Sequence, residues 1–258
     1  MSANRPTILG IQIDDVTLDE VIERVYDWLS NEPDHLHQIV TTNPEFLVAA
    51  RKNPRFRAVL ANADLATADG VGVLIAARVL GEPLRARVTG VELVEGLAAR
   101  QDTNIRLFLL GAGPGIAERA ADRLREHFPG VAISGVWEGS PRPDDAPAIR
   151  CKIAAANATI LLVAYGAPSQ DIWIDTHRDE LAACGIVVAI GIGGAFDFLA
   201  GAVPRAPRIV RRVGFEWLYR LIRQPWRWRR QLALPFFVLL ILIQRLRPTR
   251  SEKQERIW

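Results

Sequence analysis

Seven short apolar runs, separated by helix-like segments, limit what this chain can fold into. They are Ile8–Ile13, Gln38–Thr42, Leu65–Ala68, Ile105–Leu110, Val131–Val136, Thr159–Ala164 and Ile186–Ile190. Most are continuously apolar rather than alternating, the pattern of strands covered on both faces. Thr17-Leu18-Asp19-Glu20 reads as a capping box opening a helix to about Ser30. Asn43 or Pro44 opens the next helix and Asn53-Pro54 another. Alternation of this kind predicts an α/β fold with a mostly parallel, doubly wound sheet. Gly135 to Pro147, rich in Gly, Pro and Asp, reads as a mobile surface loop.

A chain of 258 residues suits one large α/β domain or two small lobes. Cys151 and Cys184 make neither a disulfide framework nor a C-x-x-C pair, so a reducing compartment is expected. The first apolar run is broken by Asp14 and Asp15 too soon to serve as a signal peptide. His35 and His37 read as surface residues, with no Cys or His cluster to complete a metal site.

The net charge of +3 conceals a division. From Arg205 onward there are 14 basic and 3 acidic residues, a net of +11, and the rest carries −8. A basic tail on an acidic body calls for an anionic partner: lipid headgroups, diphosphates or nucleic acid. Arg is mixed with Phe215, Trp217, Tyr219, Trp226 and Trp228, and then Leu232–Ile243 is wholly apolar with Pro235 inside it. Twelve helical residues reach about 18 Å against a hydrocarbon core of about 30 Å. The segment therefore reads as a helix lying in a membrane interface, with a buried core helix or an oligomer contact as the alternative. The expected division is an α/β core over 1–204 and a basic, helical, membrane-associating appendage over 205–258. No nucleic-acid partner is expected, and a homo-oligomer is left open.

Polar or glycine-rich clusters follow several of the runs, where open α/β sheets bind their ligands. Gly111, Gly113 and Gly115 form a G-x-G-x-G turn that suits a phosphate or is a plain tight turn. Position 116 is Ile, so the dinucleotide fingerprint of an NAD-dependent oxidoreductase is not met. Tyr165 to Asp171, with Gln170 able to read a sugar hydroxyl, follows the sixth run, and Gly191–Phe198, with Gly194 and Asp197, follows the seventh. Thr41-Thr42-Asn43-Pro44-Glu45 and Ala68-Asp69-Gly70-Val71-Gly72 follow the second and third. Asp69 suits a helix N-cap or a general base. No D-x-D, G-x-S-x-G or P-loop pattern is present.

Taken in order, these segments resemble the WecG/TagA/CpsF glycosyltransferases, family 26. Arg87-Val88-Thr89-Gly90, Gly166–Asp171, Gly193–Gly201, Arg205-Ala206-Pro207 and Glu216–Leu221 carry the match from about Ile8 to Arg230. The resemblance implies a Rossmann-like core and a peripheral enzyme at the cytoplasmic face of the membrane. It implies inverting, metal-independent transfer, without a cofactor, from a UDP-sugar to a polyprenyl-diphosphate-linked sugar. ManNAc, ManNAcA or a hexose such as Glc is moved in teichoic acid, common antigen or exopolysaccharide synthesis. By position, Asp69 is the expected base, Thr41 and Asn43 active-site residues, and Gln170 a pocket residue. Tyr165, Arg87, Gly111, Gly113, Gly194, Asp197 and the tail's Arg212, Arg220 and Arg223 complete the expected site. The chain departs from many members at Thr42 (Pro), Ser169 (Lys) and Asp171 (Glu). A non-catalytic membrane adaptor would account for the tail, but not for polar clusters at four strand ends.

Overall fold

The structure, a computed structural model, describes residues 5–100, 102–207, 216–223 and 232–246. Of these, the side chains of 216, 217, 220 and 223 lie outside the description. In chain order the elements are β1 (Thr7–Ile8), β2 (Ile11–Gln12), α1 (Leu18–Asn31), β3 (His37–Thr42), α2 (Pro44–Lys52), α3 (Pro54–Asn62), β4 (Leu65–Ala68), α4 (Val71–Val79) and α5 (Gly90–Ala99). Then come β5 (Arg106–Gly111), α6 (Ile116–His127), β6 (Ala132–Trp137), α7 (Ala146–Ala156), β7 (Ile160–Ala164), α8 (Ser169–Thr176), α9 (Arg178–Ala183), β8 (Val188–Gly191) and α10 (Ala195–Leu199). The tail contributes α11 (Glu216–Arg223) and α12 (Ala233–Leu246).

Six strands form one sheet in the order β4-β3-β8-β7-β5-β6, and every pairing is parallel. Side chains alternate between its faces, as the pleat requires. Ile39, Leu107, Leu109, Ile160, Leu162 and Ile190 pack under α1, α5, α6 and α10. Phe108, Leu110, Leu161, Val163 and Ala189 pack under α7 to α9, and Val40, Ala66 and Ala68 under α2 to α4. Both faces are covered, which is why the strands read as unbroken apolar runs. The capping box at Thr17 is present: the Glu20 N–H donates to the Thr17 hydroxyl and the Thr17 N–H to Glu20.

Three expectations are corrected. The first apolar run is not a strand of the main sheet. It folds back on itself as the antiparallel pair β1–β2, turning at Leu9 and Gly10 with φ of 51° and 83°, the positive-φ pair of a tight hairpin. The Gly-rich segment from Gly135 is not loop at its start, because Gly135 to Trp137 complete β6. Gly135 is there for packing: a Cβ on it would run into the Phe108 ring. The histidines also part company, His35 being exposed and His37 buried.

The last helix joins the body rather than leaving it. Phe237, Leu240 and Ile241 project from one face of α12 into the α2–α4 core and are at most 7% exposed. Gln244 continues that face. Its Oε1 accepts the Leu9 N–H (2.8 Å) and its Nε2 donates to the Thr7 carbonyl (2.7 Å), fastening α12 to the hairpin. Pro235 sits in the first turn, where no helical hydrogen bond is lost. The opposite face carries Val238, Leu239, Leu242 and Leu246, all at least half exposed. Among the described residues no helix is long and apolar enough to cross a membrane. Gln244→Ala should loosen α12 by about 1–2 kcal/mol, read as faster amide exchange in α12 with the sheet unchanged. Unchanged protection of α12 would contradict this account of its docking.

Candidate active site

Four adjacent strands, β4, β3, β8 and β7, end at one edge of the sheet, and a cleft of about 790 Å³ opens there. Thr41 lies near the end of β3, buried, with its hydroxyl donating to the Gly191 carbonyl at 3.1 Å. Asn43 ends the strand and caps α2, its Oδ1 accepting the Phe46 N–H. The Asp69 N–H donates to the Thr42 carbonyl at 2.8 Å, one step past the β3–β4 ladder. That bond sets half-buried Asp69 beside Asn43 on the cleft wall. Gly70 follows with φ of 110°. A Cβ there would meet nothing within 4 Å, so the backbone conformation, not space, calls for glycine. It turns the chain into α4, whose N-terminus has no side-chain cap and lines the cleft with Val71 and Gly72.

Cationic groups enter from the α5 side. Thr89 and Glu92 form a capping box at the start of α5. Glu92 also accepts from Arg87 (2.9 Å) and lies 3.7 Å from Arg205, which pairs with Glu95 at 3.3 Å. Arg87, Thr89 and Arg205 all line the cleft. The Arg205 Nε is buried without a hydrogen-bond partner, a donor whose desolvation an anionic ligand would offset. Arg205 stands just past the expected core boundary and was legible only as part of a motif. Its place on the cleft lining and its buried, unpartnered Nε make it a candidate site residue. The other half of the cleft is apolar. Ile75 and Val79 of α4 face Leu234, Phe237, Val238 and Ile241 of α12 across it, and Lys52 lies on its lining.

Beneath the floor is a buried polar pair. Gln170 is fully buried, and its Oε1 accepts the N–H groups of Gly166 (3.1 Å) and Gly193 (2.9 Å), tying the β7 and β8 loops together. It therefore shapes the floor instead of lining the cleft. Asp171 beside it is fully buried too, with neither carboxylate oxygen in a hydrogen bond of good geometry. Burial drives its carboxyl up to about 7, against the opposing pull of the Gln170 amide.

Of the expected residues, the fold brings Thr41, Asn43, Asp69, Arg87 and Gly194 onto the cleft. Gly111, the last residue of β5, and Gly113, in the turn after it, lie one strand further along and are not on its lining. The Gly115 N–H of that turn donates to the Glu138 carboxylate at 2.8 Å, which disfavours a further anion there. Tyr165 packs its ring edge-on to Trp173, and burial, with the charge of Asp145, raises its phenol above the ordinary range. Asp197 sits within α10, off the lining. Arg212 lies outside the described residues, as do the side chains of Arg220 and Arg223.

Asp171 makes a signed prediction. A carboxyl raised from 3.8 to about 7 by folding is protonated in the folded state and ionised in the unfolded one over that interval. Its contribution to stability falls as pH rises to about 7 and is constant above. The stability gap between Asp171→Asn and the wild type should therefore shift in the variant's favour from pH 5 to 7, then level off. A gap independent of pH, from denaturant midpoints, would contradict the buried neutral acid.

Comparison with known proteins shows the family. The family model described as Glycosyl transferase WecG/TagA/CpsF family matches residues 6–251. An N-acetylglucosaminyldiphosphoundecaprenol N-acetyl-beta-D-mannosaminyltransferase of Bacillus spizizenii is 38% identical over 205 residues, 79% of this chain and 78% of its own. The protein of that name from Bacillus subtilis strain 168 is 34% identical over the same shares. One from Staphylococcus aureus strain MW2 is 30% identical over 235 residues, 91% of each chain. With a match over nearly its whole length, the chain belongs to the WecG/TagA/CpsF family of glycosyltransferases.

Proposed function

We propose that the cleft moves a sugar from a UDP-sugar onto a polyprenyl-diphosphate-linked sugar, by inversion and without a metal. One observation carries this reading: one cleft has a polar half bearing Asp69, Arg87 and Arg205 and an apolar half made by α4 and α12. A sugar diphosphate joined to a polyprenyl chain needs both halves. ManNAc as donor sugar and GlcNAc-diphosphoundecaprenol as acceptor follow the names of the relatives.

In the proposed step Asp69 takes the proton of the acceptor hydroxyl as that oxygen attacks the anomeric carbon. UDP departs from the opposite face. The negative charge growing on the leaving diphosphate is met by Arg87, Arg205 and the uncapped start of α4. Arg groups of the tail, Arg212, Arg220 and Arg223 among them, are assigned to the acceptor's own diphosphate. The family's departures from D-x-D chemistry suit this division: positive charge comes from side chains and a helix end. Asp69→Asn should lower turnover by about 10²–10⁴-fold while leaving UDP-sugar affinity nearly unchanged. Wild-type turnover in that variant would remove Asp69 from the mechanism.

The outer face of α12 supplies the membrane contact. Val238, Leu239 and Leu242 are each at least half exposed beside the cleft's apolar wall, a continuous patch that water alone would penalise. Arg245 follows in the last turn, where it can meet headgroups. On this reading the enzyme lies peripherally, on the cytoplasmic face, with the cleft mouth toward the lipid. Leu239→Glu with Leu242→Glu should abolish co-sedimentation with anionic vesicles and leave the circular dichroism spectrum intact. Undiminished vesicle binding would put the contact elsewhere.

A further inference from the structure

At the opposite, amino end of the sheet, four side chains from three pieces of chain converge. His37, the first residue of β3, is 4% exposed, and its ring stacks on Trp28 of α1 at 4.3 Å between centroids and 3° between planes. His35, exposed, meets it edge-on at 4.9 Å. Asp64, just before β4, has Oδ1 3.8 Å from His37 Nδ1, and Glu32, at the end of α1, has Oε2 3.4 Å from His37 Nε2. One ligand atom each from His35, His37 and Asp64 lie within 4.8 Å of one another.

The geometry points to a binding site for a borderline divalent metal ion such as Zn²⁺, held by His35, His37 Nδ1 and Asp64 Oδ1, with water completing the shell. Two imidazoles and a carboxylate are the donor set that such ions favour. Bonds of about 2.1 Å bring ligand atoms to within about 4 Å of each other. A tetrahedral shell sets them about 3.4 Å apart, so the widest spacing of up to 4.8 Å needs up to about 1.4 Å of closure, which exposed His35 can supply. A second feature is independent of the cluster. The buried His37 Nε2 has no hydrogen bond of good geometry, yet Glu32 faces it. A carboxylate on the far nitrogen is the arrangement that orients a metal-bound imidazole and raises its basicity. Asp64 is braced likewise: its Oδ2 accepts the Gln38 N–H (2.8 Å) and Arg178 (3.0 Å), leaving Oδ1 toward His37. Arg178 adds a positive charge nearby and works against a cation, so the neighbouring Glu32 and Asp64 charges matter to the balance.

The ion would be a clamp, not a participant in transfer. His37 and Thr42 bound the six residues of β3, so the site lies about 17 Å from the cleft at about 3.3 Å per residue. It would join the end of α1, the α1–β3 loop and the start of β4.

The test uses full-length protein stripped with a chelator, then titrated with Zn²⁺ against a chromophoric competitor and, separately, with Co²⁺. One Zn²⁺ per chain, a rise in Tm and a visible Co²⁺ spectrum of low-symmetry nitrogen and oxygen ligation are expected. His35→Ala, a surface change, should weaken binding by at least tenfold and leave the metal-free Tm unchanged. Asp64→Asn should also lose the Co²⁺ spectrum. Failure of the wild type to retain Zn²⁺ stoichiometrically, or equal affinity in His35→Ala, would overturn the assignment.

Discussion

The parallel pairing of β3 with β4 on one side and β8 on the other is the constraint on which the site depends. Parallel strands all finish at one edge, so the residues that follow them are delivered to a common place however far apart they lie in sequence. Thr41, Asp69 and Gly194 meet for that reason. Two hydrogen bonds extend the pairing to its last residues: the Thr41 hydroxyl to the Gly191 carbonyl, and the Asp69 N–H to the Thr42 carbonyl. The base proposed here, Asp69, must hold its position against an acceptor, and backbone bonds of this sort restrain it more tightly than a free loop would.

The cleft's two halves have different origins. Its polar half is made by strand ends and by Glu92, which serves as cap for α5 and as partner to Arg87 and Arg205. One carboxylate thus holds two guanidinium groups close together, an arrangement that would otherwise be repulsive. Its apolar half is made by α12, which returns from the basic tail and lays Phe237 and Ile241 on the body. The helix uses one face for folding and leaves the other, with Val238, Leu239 and Leu242, exposed. Hence the core-helix reading of Leu232–Ile243 holds for one face of it, and the interfacial reading belongs to the proposal for the other.

The floor shows what such a site costs. Gln170 and Asp171 are completely buried polar residues beneath two loops that hold glycine where a substrate would sit. Gln170 satisfies two backbone N–H groups that would otherwise be orphaned. Asp171 avoids the expense of a buried charge by remaining neutral up to about pH 7. Gln170, expected to read a sugar hydroxyl, therefore shapes the cleft from below.

Much of this was legible in the chain itself. Apolar runs without alternation imply a sheet covered on both faces, because burial on two sides removes the polar side chains that would mark one face. The clusters after those runs located Thr41, Asn43, Asp69 and Gly194, since a parallel sheet has only one ligand-binding edge. Local pattern could not say which strands would be neighbours. Gly111 belongs to a strand end as glycine-rich as that of Gly194, yet β5 stands one place too far along the sheet to reach the cleft. Nor could it show that the first apolar run folds into a hairpin, or that this hairpin receives Gln244 from 235 residues away. The order of strands and the docking of α12 are settled by which apolar faces can be buried together. That is a property of the whole packed chain and not of any segment in it.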